Sequence, residues 1–397
     1  MLNNEFPPLG GGTGTVNQAL LERFALERFG GVEGLEIDLV TSALGKEFET
    51  QQFAERIRIY KVPVDNRNIH HSSNRELLRY ARRSLRLALK LQRAKPYDFC
   101  FAWSAVPAGG VALALHRLAG LPYLVRVCGP DIPGFERRYR WLYPFLTPAI
   151  RRIWHGAETV VAKCGGEAEM ILDIDREVRI TLVPNGVEEK AFPVAPPIPD
   201  EGPLRVLCVG RLIERKGQHH LIEAVKQLSD EGIAVELELV GTGDALAADQ
   251  ALARRLGVAK RVHFSGYIPR EQIARHYATA HVFALPSYNE GMSVATMEAM
   301  AAGLPVILTR TGGTAELVQE GVNGFIFTWG EVEALAAHLR CLAVDRPLAR
   351  KMGAASHALA LAYTWEAAAD FYLDLFRWMA PGLPLPSAAV PLQKGTA

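Results

Sequence analysis

The sequence predicts an α/β protein built from two parallel-sheet domains. Apolar runs typical of buried strands alternate with helical patterns along most of the 397 residues, which is the pattern of parallel sheets with crossover helices. Residues 193–203 interrupt this alternation and are too rich in proline to lie inside an element. A chain of this length is expected to form about two domains, so we interpret this stretch as the linker between them.

Each half supplies its own set of strands. Before the linker, strands are predicted at 35–41, 98–104, 122–129 and 158–164. After the linker, strands are predicted at 204–210, 234–241, 262–266, 281–287 and 305–309. The tail, residues 381–397, is rich in proline, alanine and glycine and has little to bury, so we expect it to be disordered.

The composition indicates a soluble protein of the cytoplasm. No apolar run approaches the ~18 residues that cross a bilayer, and the N-terminus lacks the basic and apolar regions of a signal peptide. The five cysteines are odd in number and scattered, without the spacing of a zinc site. We therefore expect reduced cysteines and a cytoplasmic location.

A phosphate-binding edge is predicted in the second half. Ligands of parallel α/β sheets bind at the carboxyl ends of strands, where helix N-termini favour anions. Gly210 ends a predicted strand there, and Arg211 and Lys216 flank the turn into the next helix, a combination that suits a diphosphate. Glycine-containing turns follow other strands at 241–244, 290–293 and 311–314. Taken singly, each motif could equally be a solvated cation or an ordinary turn.

Two carboxylates follow the strand at 281–287. If residues 294–302 are helical, Glu298 shares an apolar face with Met297 and Ala301. Glu290 lies in the loop that feeds this helix. The helix dipole explains an acid near the N-terminus, such as Glu290, but it does not explain Glu298 within the apolar face.

Together these motifs resemble a known family. GRL-x4-KG, P-S-x-x-E-G, E-A-M-A-x-G-x-P-V-I, GG-x-x-E-L-V and NGFIF, between Val183 and Phe327, are similar to the donor domain of family 4 retaining glycosyltransferases of the GT-B fold. Residues 7–14, 184–187 and 363–376 look like the family's glycine loop, hinge motif and last helix.

The resemblance implies a fold and its domain limits. It implies two Rossmann-like, doubly wound parallel-sheet domains that face a cleft. The first domain would span 1–192 and be completed by about 364–380, where the C-terminal helix crosses back to it. The second, which binds the nucleotide-sugar donor, would span 204–363.

The resemblance also implies residue roles. Arg211 and Lys216 would neutralise the diphosphate of a nucleotide sugar, Glu290 would hold hydroxyls of the transferred sugar, and Glu298 would hold those of the ribose. Further donor contacts are implied at Gly11, Gly12, Gly210, Gly241, Tyr267, Gly291, Met292 and Ser293. Fixed positive charge stabilises the leaving phosphate, so neither a metal nor a cofactor is expected.

The first half departs from the family pattern where many members carry a histidine. The chain has RVCGPDIPG at 126–134 instead, which leaves Asp131 as the catalytic candidate nearest the reacting carbon. The alternative is that Asp131 only fixes a turn before Pro133. The GPDIPGF stretch resembles a subgroup of bacterial polysaccharide assembly. We interpret the D-x-D of Asp173 and Asp175 as a solvated turn rather than a metal site.

Two basic segments suggest where an acceptor or a membrane could bind. Residues 66–155 hold 16 Lys and Arg against 4 Asp and Glu. Within them, helix 74–95 predicts an apolar stripe of Leu78, Ala81, Leu85 and Ala88 beneath a cationic face. Residues 135–154 mix Arg137, Arg138, Arg151 and Arg152 with Trp141, Tyr143, Phe145 and Trp154. Such surfaces suit an anionic membrane carrying a lipid-linked acceptor, or they are simply solvated. A net charge of +1 argues against nucleic acid.

Three functions are compatible with the sequence. The leading prediction is a retaining hexosyltransferase acting on a glycan or lipid-linked acceptor in bacterial polysaccharide or surface-glycan synthesis. A nucleotide-sugar epimerase or phosphorylase of the same fold would need acid, base or cofactor-binding motifs that we do not find. A catalytically inactive nucleotide-sugar binder stays possible because the family histidine is missing.

Overall fold

A computed structural model describes residues 1–26, 35–66 and 72–380. The predicted disordered tail, 381–397, lies outside these residues. The chain divides into two compact units. Unit 1 contains Met1–Pro184 and the chain from Trp365 onward, and unit 2 contains Asn185–Thr364. Each unit is a parallel or mostly parallel sheet flanked by helices, so the predicted α/β class is confirmed.

The elements up to Pro184 are, in chain order, α1 (Gly12–Phe24), β1 (Ile37–Ala43), β2 (Glu49–Ala54), β3 (Ile57–Pro63), α2 (Asn74–Ala94), β4 (Cys100–Trp103), α3 (Gly110–Ala119), β5 (Tyr123–Arg126), α4 (Tyr143–Gly156), β6 (Val160–Ala162), α5 (Gly165–Ile174) and β7 (Ile180–Leu182). 

The elements that follow are β8 (Leu204–Val209), α6 (Gln218–Asp230), β9 (Val235–Val240), α7 (Leu246–Arg255), β10 (Val262–Gly266), α8 (Arg270–Thr279), β11 (Val282–Leu285), α9 (Val294–Ala301), β12 (Val306–Thr309), α10 (Thr314–Leu317), β13 (Gly324–Phe327), α11 (Val332–Val344), α12 (Arg346–Ala360) and α13 (Trp365–Met379).

The sheet of unit 1 is completed by a single residue near the N-terminus. Leu2 forms parallel bridges to Val40 in β1 and to Ala102 in β4, and so joins the order β2-β3-β1 to the order β4-β5-β6-β7. A bridge of one residue thus connects the two groups of strands. Sequence reasoning missed the antiparallel pair of β2 and β3, because the polar, exposed residues of β2 carry no apolar alternation.

The sheet of unit 2 is entirely parallel, in the order β10-β9-β8-β11-β12-β13. The chain winds outward from β8 in one direction and from β11 in the other. The order thus reverses between β8 and β11, and the crevice at such a switch point is where doubly wound sheets bind ligands. The loops after these two strands are therefore the first place to look for a site.

The last helix, α13, packs within unit 1, as predicted. Its Tyr372 ring lies 5.3 Å from that of Phe101, and its Phe376 ring lies 5.6 Å from that of Phe24 in α1. Arg23 of α1 pairs with Glu366 at 2.8 Å. Aromatic burial and this partly buried ion pair hold the helix in place.

The boundary between the units lies earlier than the predicted one at 192–193. Residues from Asn185 onward pack with unit 2: the Phe192 ring meets that of Tyr277 at 5.4 Å. The proline-rich stretch is also packed, because Ala195 N–H donates to the carbonyl of Ala302 and Ile198 is buried. Proline content identified an irregular segment here, and this segment packs on unit 2 through Ile198 and the backbone of Ala195. None of the helices in the described ranges is long and apolar enough to cross a membrane.

Candidate functional site

An ion pair joins the two loops at the switch point of unit 2. Lys216 Nζ, in the turn after β8, lies 2.5 Å from Glu290 Oε1, in the loop after β11. Burial alone would raise the pKa of the Glu290 carboxyl, but the charges of Lys216 and Arg215 outweigh it and hold that pKa below its ordinary value. Glu290 is therefore ionised at neutral pH. Two of the predicted site residues are thus brought together.

Arg215 is a member of this cluster that sequence reasoning missed. Its Nη1 donates to the carbonyl of Asn289 at 2.5 Å and lies 3.5 Å from Glu290 Oε1. Its own carbonyl accepts the N–H of Tyr288 at 2.7 Å. The signal in the sequence was that Arg215 directly precedes Lys216. This signal is weak, because charged residues in turns are usually solvated.

Arg211 stands apart from that cluster. Its side chain is exposed and makes no ion pair among the residues that the structure describes. Its backbone is fixed, because Gln218 Nε2 donates to the Arg211 carbonyl at 3.0 Å. The loop after β8 thus carries two predicted cations: Arg211, which is exposed on a fixed backbone, and Lys216, which is paired with Glu290.

The predicted glycines bring neighbouring loops into backbone contact. A Cβ on Gly241 would lie 2.0 Å from the carbonyl oxygen of Gly210, and one on Gly313 would lie 2.0 Å from that of Gly291. Gly241 also has a φ of +135°, which disfavours other residues. These glycines are therefore required by the packing of the strand-end loops on one another, before any ligand is considered.

Glu298 lies in α9 as predicted, and it is buried against a tyrosine that the sequence did not indicate. The hydroxyl of Tyr277 in α8 donates to Glu298 Oε2 at 2.8 Å. Burial raises the pKa of the Glu298 carboxyl, opposed by Tyr277 and by the charge of Arg270. Ser293 begins this helix, with its hydroxyl accepting the N–H of Thr296. Tyr277 engages only Oε2 of Glu298, and no described residue donates a hydrogen bond to Oε1.

Met292 and Tyr267 differ sharply in exposure. The Met292 side chain lies in the core of unit 2, where its sulfur accepts the N–H of Asn185 at 3.3 Å. Asn185 Nδ2 also donates to the Met292 carbonyl at 2.9 Å. The predicted hinge motif therefore holds Met292 inward. Tyr267, after β10, is 65% exposed.

The N-terminal glycine loop of unit 1 is open at the two predicted positions. A Cβ on Gly11 or Gly12 would meet no atom within 4 Å among the described residues, so packing does not demand glycine at either position. The N–H of Gly11, which caps α1, donates to Glu5 Oε2 at 3.2 Å. A carboxylate of the chain itself therefore occupies one of the helix-terminal amides.

Asp131 is held by backbone on both sides. Its Oδ2 accepts the N–H of Ala105 at 2.6 Å and its Oδ1 accepts the N–H of Cys128 at 2.7 Å. Burial raises its pKa, and these two hydrogen bonds oppose the rise. The alternative interpretation was a turn before Pro133; the carboxylate instead fixes the loop after β5 through the amides of Ala105 and Cys128.

Asp175 is not the solvated residue that the D-x-D interpretation predicted. It is buried, and its Oδ2 lies 2.7 Å from both Arg151 Nε and His155 Nε2 of α4. Arg151 is the main reason that the pKa of Asp175 is lowered. Asp173 is exposed and lies in the last turn of α5 rather than in a loop. The ion pair with α4 could not be seen from local sequence.

The basic and aromatic segment 135–154, which includes most of α4, divides into exposed and buried parts. Trp141 is 76% and Phe145 is 80% exposed, and Arg140 stacks 5.0 Å over the Trp141 ring. Tyr143 and Trp154, which were predicted to lie on this surface, are buried instead. The Tyr143 hydroxyl donates to the carbonyl of Pro130 at 2.9 Å. Arg151 is engaged with Asp175. We call Arg137, Arg138, Arg140, Trp141, Leu142, Phe145 and Arg152 the α4 patch.

The core face of α2 is turned slightly from the predicted stripe. Its buried residues are Glu76, Tyr80, Ser84 and Ala88, and Leu78 is exposed. Tyr80 sets this orientation, since its hydroxyl donates to the carbonyl of Val40 at 2.9 Å. The cationic face, including Arg86, Lys90 and Arg93, is solvent-exposed as predicted.

Two family profiles match the chain. "Glycosyl transferase 4-like domain" matches residues 11–186, and "Glycosyl transferases group 1" matches residues 194–358. Together they account for most of both units.

Curated relatives match over part of their length. A GDP-mannose-dependent alpha-(1-6)-phosphatidylinositol monomannoside mannosyltransferase of Mycolicibacterium smegmatis is 31% identical over 52% of this chain and 61% of that protein. The amylovoran biosynthesis glycosyltransferase AmsK of Erwinia amylovora is 35% identical over 41% of each chain. The chain thus spans about half the length of the curated relatives it matches.

Solved structures share the fold over nearly the whole chain. A sucrose-phosphate synthase from Thermosynechococcus elongatus has a TM-score of 0.80 at 22% identity, over 93% of this chain and 94% of that one. HepE of Anabaena, solved with UDP-glucose, has a TM-score of 0.73 at 20% identity, over 94% and 98%. From the matched profiles, this fold and the motif residues at the switch point, the chain belongs to the family 4 glycosyltransferases of the GT-B fold.

Proposed function

We propose that the protein is a retaining, metal-independent hexosyltransferase that moves a sugar from a nucleotide donor to a glycan or lipid-linked acceptor in bacterial surface-polysaccharide synthesis. The observation that carries the proposal is the switch point of unit 2. An exposed cation, Arg211, follows β8 in the same loop as Lys216, and Lys216 pairs with Glu290 of the loop after β11. A nucleotide sugar presents the matching groups, a diphosphate next to sugar hydroxyls.

The residues suit the departure of a phosphate. Arg211 and Lys216 would bind the diphosphate, and fixed positive charge stabilises the negative charge that develops on the leaving oxygen. Glu290, kept ionised by its neighbours, would accept hydrogen bonds from the sugar. Glu298 Oε1 would accept from the ribose, since Tyr277 engages only Oε2.

The donor base and sugar are suggested by relatives only. One relative uses GDP-mannose by its name, and HepE was solved with UDP-glucose. We therefore propose these two nucleotide sugars as the first donors to test. Amylovoran and colanic acid glycosyltransferases among the relatives support a role in polysaccharide assembly.

The test is release of nucleoside diphosphate from UDP-glucose and GDP-mannose, with and without a bacterial membrane-lipid extract. The proposal expects slow release from one donor, faster release with the extract, and transfer of labelled sugar to a lipid or glycan product with the anomeric configuration of the donor. Added chelator should leave the rate unchanged. Tight binding of a nucleotide sugar without turnover would instead indicate an inactive binder, which the loop-fixing geometry of Asp131 also permits.

We further propose that the α4 patch lets the protein contact the inner face of the cytoplasmic membrane. Two large exposed aromatic side chains, Trp141 and Phe145, lie among arginines, and this combination suits an anionic lipid surface.

Co-sedimentation with phosphatidylglycerol vesicles tests this contact. Binding should weaken when Trp141 and Phe145 are changed to serine. It should not weaken when Val344, an equally exposed apolar residue of unit 2, is changed in the same way. Equal binding by all three proteins would contradict the membrane proposal and leave the donor proposal intact.

A further inference from the structure

Arg215 holds together the loop after β8, which carries Lys216, and the loop after β11, which carries Glu290. It lies in the turn at Glu214–Lys216, and it makes two contacts to backbone of the opposite loop. Nη1 donates to the Asn289 carbonyl at 2.5 Å, and the Arg215 carbonyl accepts the Tyr288 N–H at 2.7 Å. These contacts fix the backbone on the N-terminal side of Glu290.

Two cations share one oxygen of Glu290. Lys216 Nζ lies 2.5 Å and Arg215 Nη1 lies 3.5 Å from Oε1, and all three side chains are mostly buried, at 13%, 12% and 17% exposure. A single carboxylate therefore lies against two positive charges. A diphosphate entering beside Arg211 would meet a local excess of positive charge, and Lys216 is the cation that could turn toward it.

The two cations differ in what they can do. The lysine ammonium is a point charge on a flexible stem, whereas the arginine guanidinium presents several donors in one rigid plane. The guanidinium of Arg215 is also tied to a backbone carbonyl. Lys216 can follow a phosphate, but Arg215 stays with Glu290.

We infer that Arg215 is a positioning residue of the donor site, which keeps Glu290 ionised and aimed at the sugar after Lys216 has turned to the diphosphate. Without Arg215, the buried carboxylate would keep neither of these two cations once Lys216 has turned to the diphosphate. Burial would then raise its pKa, and Glu290 would take up a proton at a higher pH. This inference rests on the proposed function, since it assumes that the site receives a nucleotide sugar.

The test compares two kinds of ligand across pH. Calorimetry would measure the affinity for UDP and GDP, which lack the sugar, and for UDP-glucose and GDP-mannose, which carry it, between about pH 4 and 8. In Arg215→Gln, affinity for the nucleoside diphosphate should stay within twofold of wild type. Affinity for the nucleotide sugar should fall by about tenfold. The decrease of this affinity at low pH, which we call the acid limb, should begin at a higher pH than in wild type.

Two more variants make the outcome specific. Arg215→Lys keeps the charge, and it should return the acid limb toward its wild-type position while retaining part of the affinity loss. Arg350→Gln is the matched control, because Arg350 likewise joins a backbone carbonyl, that of Ile198, and a carboxylate, that of Asp200, within unit 2. It should leave both affinities and the acid limb unchanged.

Different failures have different meanings. If wild type binds none of the nucleoside diphosphates, the proposed function itself is overturned. If wild type binds them but Arg215→Gln weakens nucleotide and nucleotide sugar equally, with an unshifted acid limb, only the role of Arg215 is overturned. If Arg215→Gln does not fold, an unshifted acid limb and full affinity in Arg215→Lys would show that the arginine geometry is not needed, which also contradicts the inference.

Discussion

The carboxyl edges of the two sheets carry similar charged groups, which differ in their burial and in their partners. In unit 1, charged groups at the strand ends are buried and bonded internally: Lys163 reaches Glu167 and the Val127 carbonyl, and Arg126 Nε donates to Tyr372. In unit 2, the Lys216 and Glu290 side chains are mostly buried but keep 13% and 17% exposure, against 8% and 1% for Lys163 and Glu167, and Arg211 is exposed.

This difference separates charged residues that stabilise the fold from charged residues that can bind a ligand. A buried charge that already has its partners is costly to expose and offers little to a ligand. A partly exposed pair can exchange partners when an anion arrives. We therefore expect substitutions at the edge of unit 2 to change catalysis and binding, and substitutions at the edge of unit 1 to change stability.

The largest effect is expected at Glu290. Glu290→Gln keeps the shape of the side chain but removes the charge that the sugar hydroxyls would meet, so kcat/KM for glycosyl transfer should fall by about 100-fold or more. The matched control is Glu214→Gln, because Glu214 is an exposed acid of the adjacent turn. Activity of both variants within twofold of wild type would place the reacting sugar elsewhere.

A smaller effect is expected at Lys216. Lys216→Gln removes one phosphate partner, so KM for the donor should rise by about tenfold through loss of a charge-assisted hydrogen bond. Steady-state kinetics against donor concentration would measure it. Lys226→Gln removes an exposed lysine of α6 that pairs with Asp230, and it should leave KM unchanged. An equal rise in both variants would mean that general surface charge, not the site, governs donor binding.

Asp131 tests the other side of the comparison. Asp131→Ala leaves the amides of Ala105 and Cys128 without acceptors, so the free energy of unfolding of unit 1 should fall by about 1–3 kcal/mol. Chemical denaturation followed by tryptophan fluorescence would measure it, with nucleotide affinity unchanged. Unaltered stability combined with lost turnover would make Asp131 catalytic and would break the division between the two edges.

The smallest effect is expected at Asp175, and it should depend on pH. The lowered pKa of Asp175, caused mainly by Arg151, means that its ionised form stabilises the fold at a pH above its ordinary pKa. That stabilisation is lost as the pH falls through the folded pKa. The Tm of wild type should therefore exceed that of Asp175→Asn at neutral pH, and the gap should close below about pH 4. The exposed Asp173→Asn should show no gap.

Much of the architecture follows from local sequence. Apolar runs such as 204–210 predicted β8 because a buried parallel strand needs a continuous apolar stretch. The two motifs that contain Gly210 with Lys216, and Glu290, indicated the loops of the site, and the sheet order brings those loops to one switch point.

What the sequence did not predict depends on tertiary contacts. The polar strand β2 is recognisable only through its pairing with β3. The roles of Arg215, Tyr277 and Asp175 depend on partners in other elements, and spacing along the chain gives no sign of them. The same is true of Met292, which turns inward because Asn185 binds it.

The most direct test of the central claim is a crystal structure of the protein with UDP or GDP. We expect the diphosphate to bind beside Arg211 and Lys216. Lys216 Nζ should move from Glu290 to a phosphate oxygen, and Arg215 should stay bonded to the Asn289 carbonyl. A nucleotide bound elsewhere, or a diphosphate in these loops that leaves the Lys216–Glu290 pair intact, would contradict the central claim.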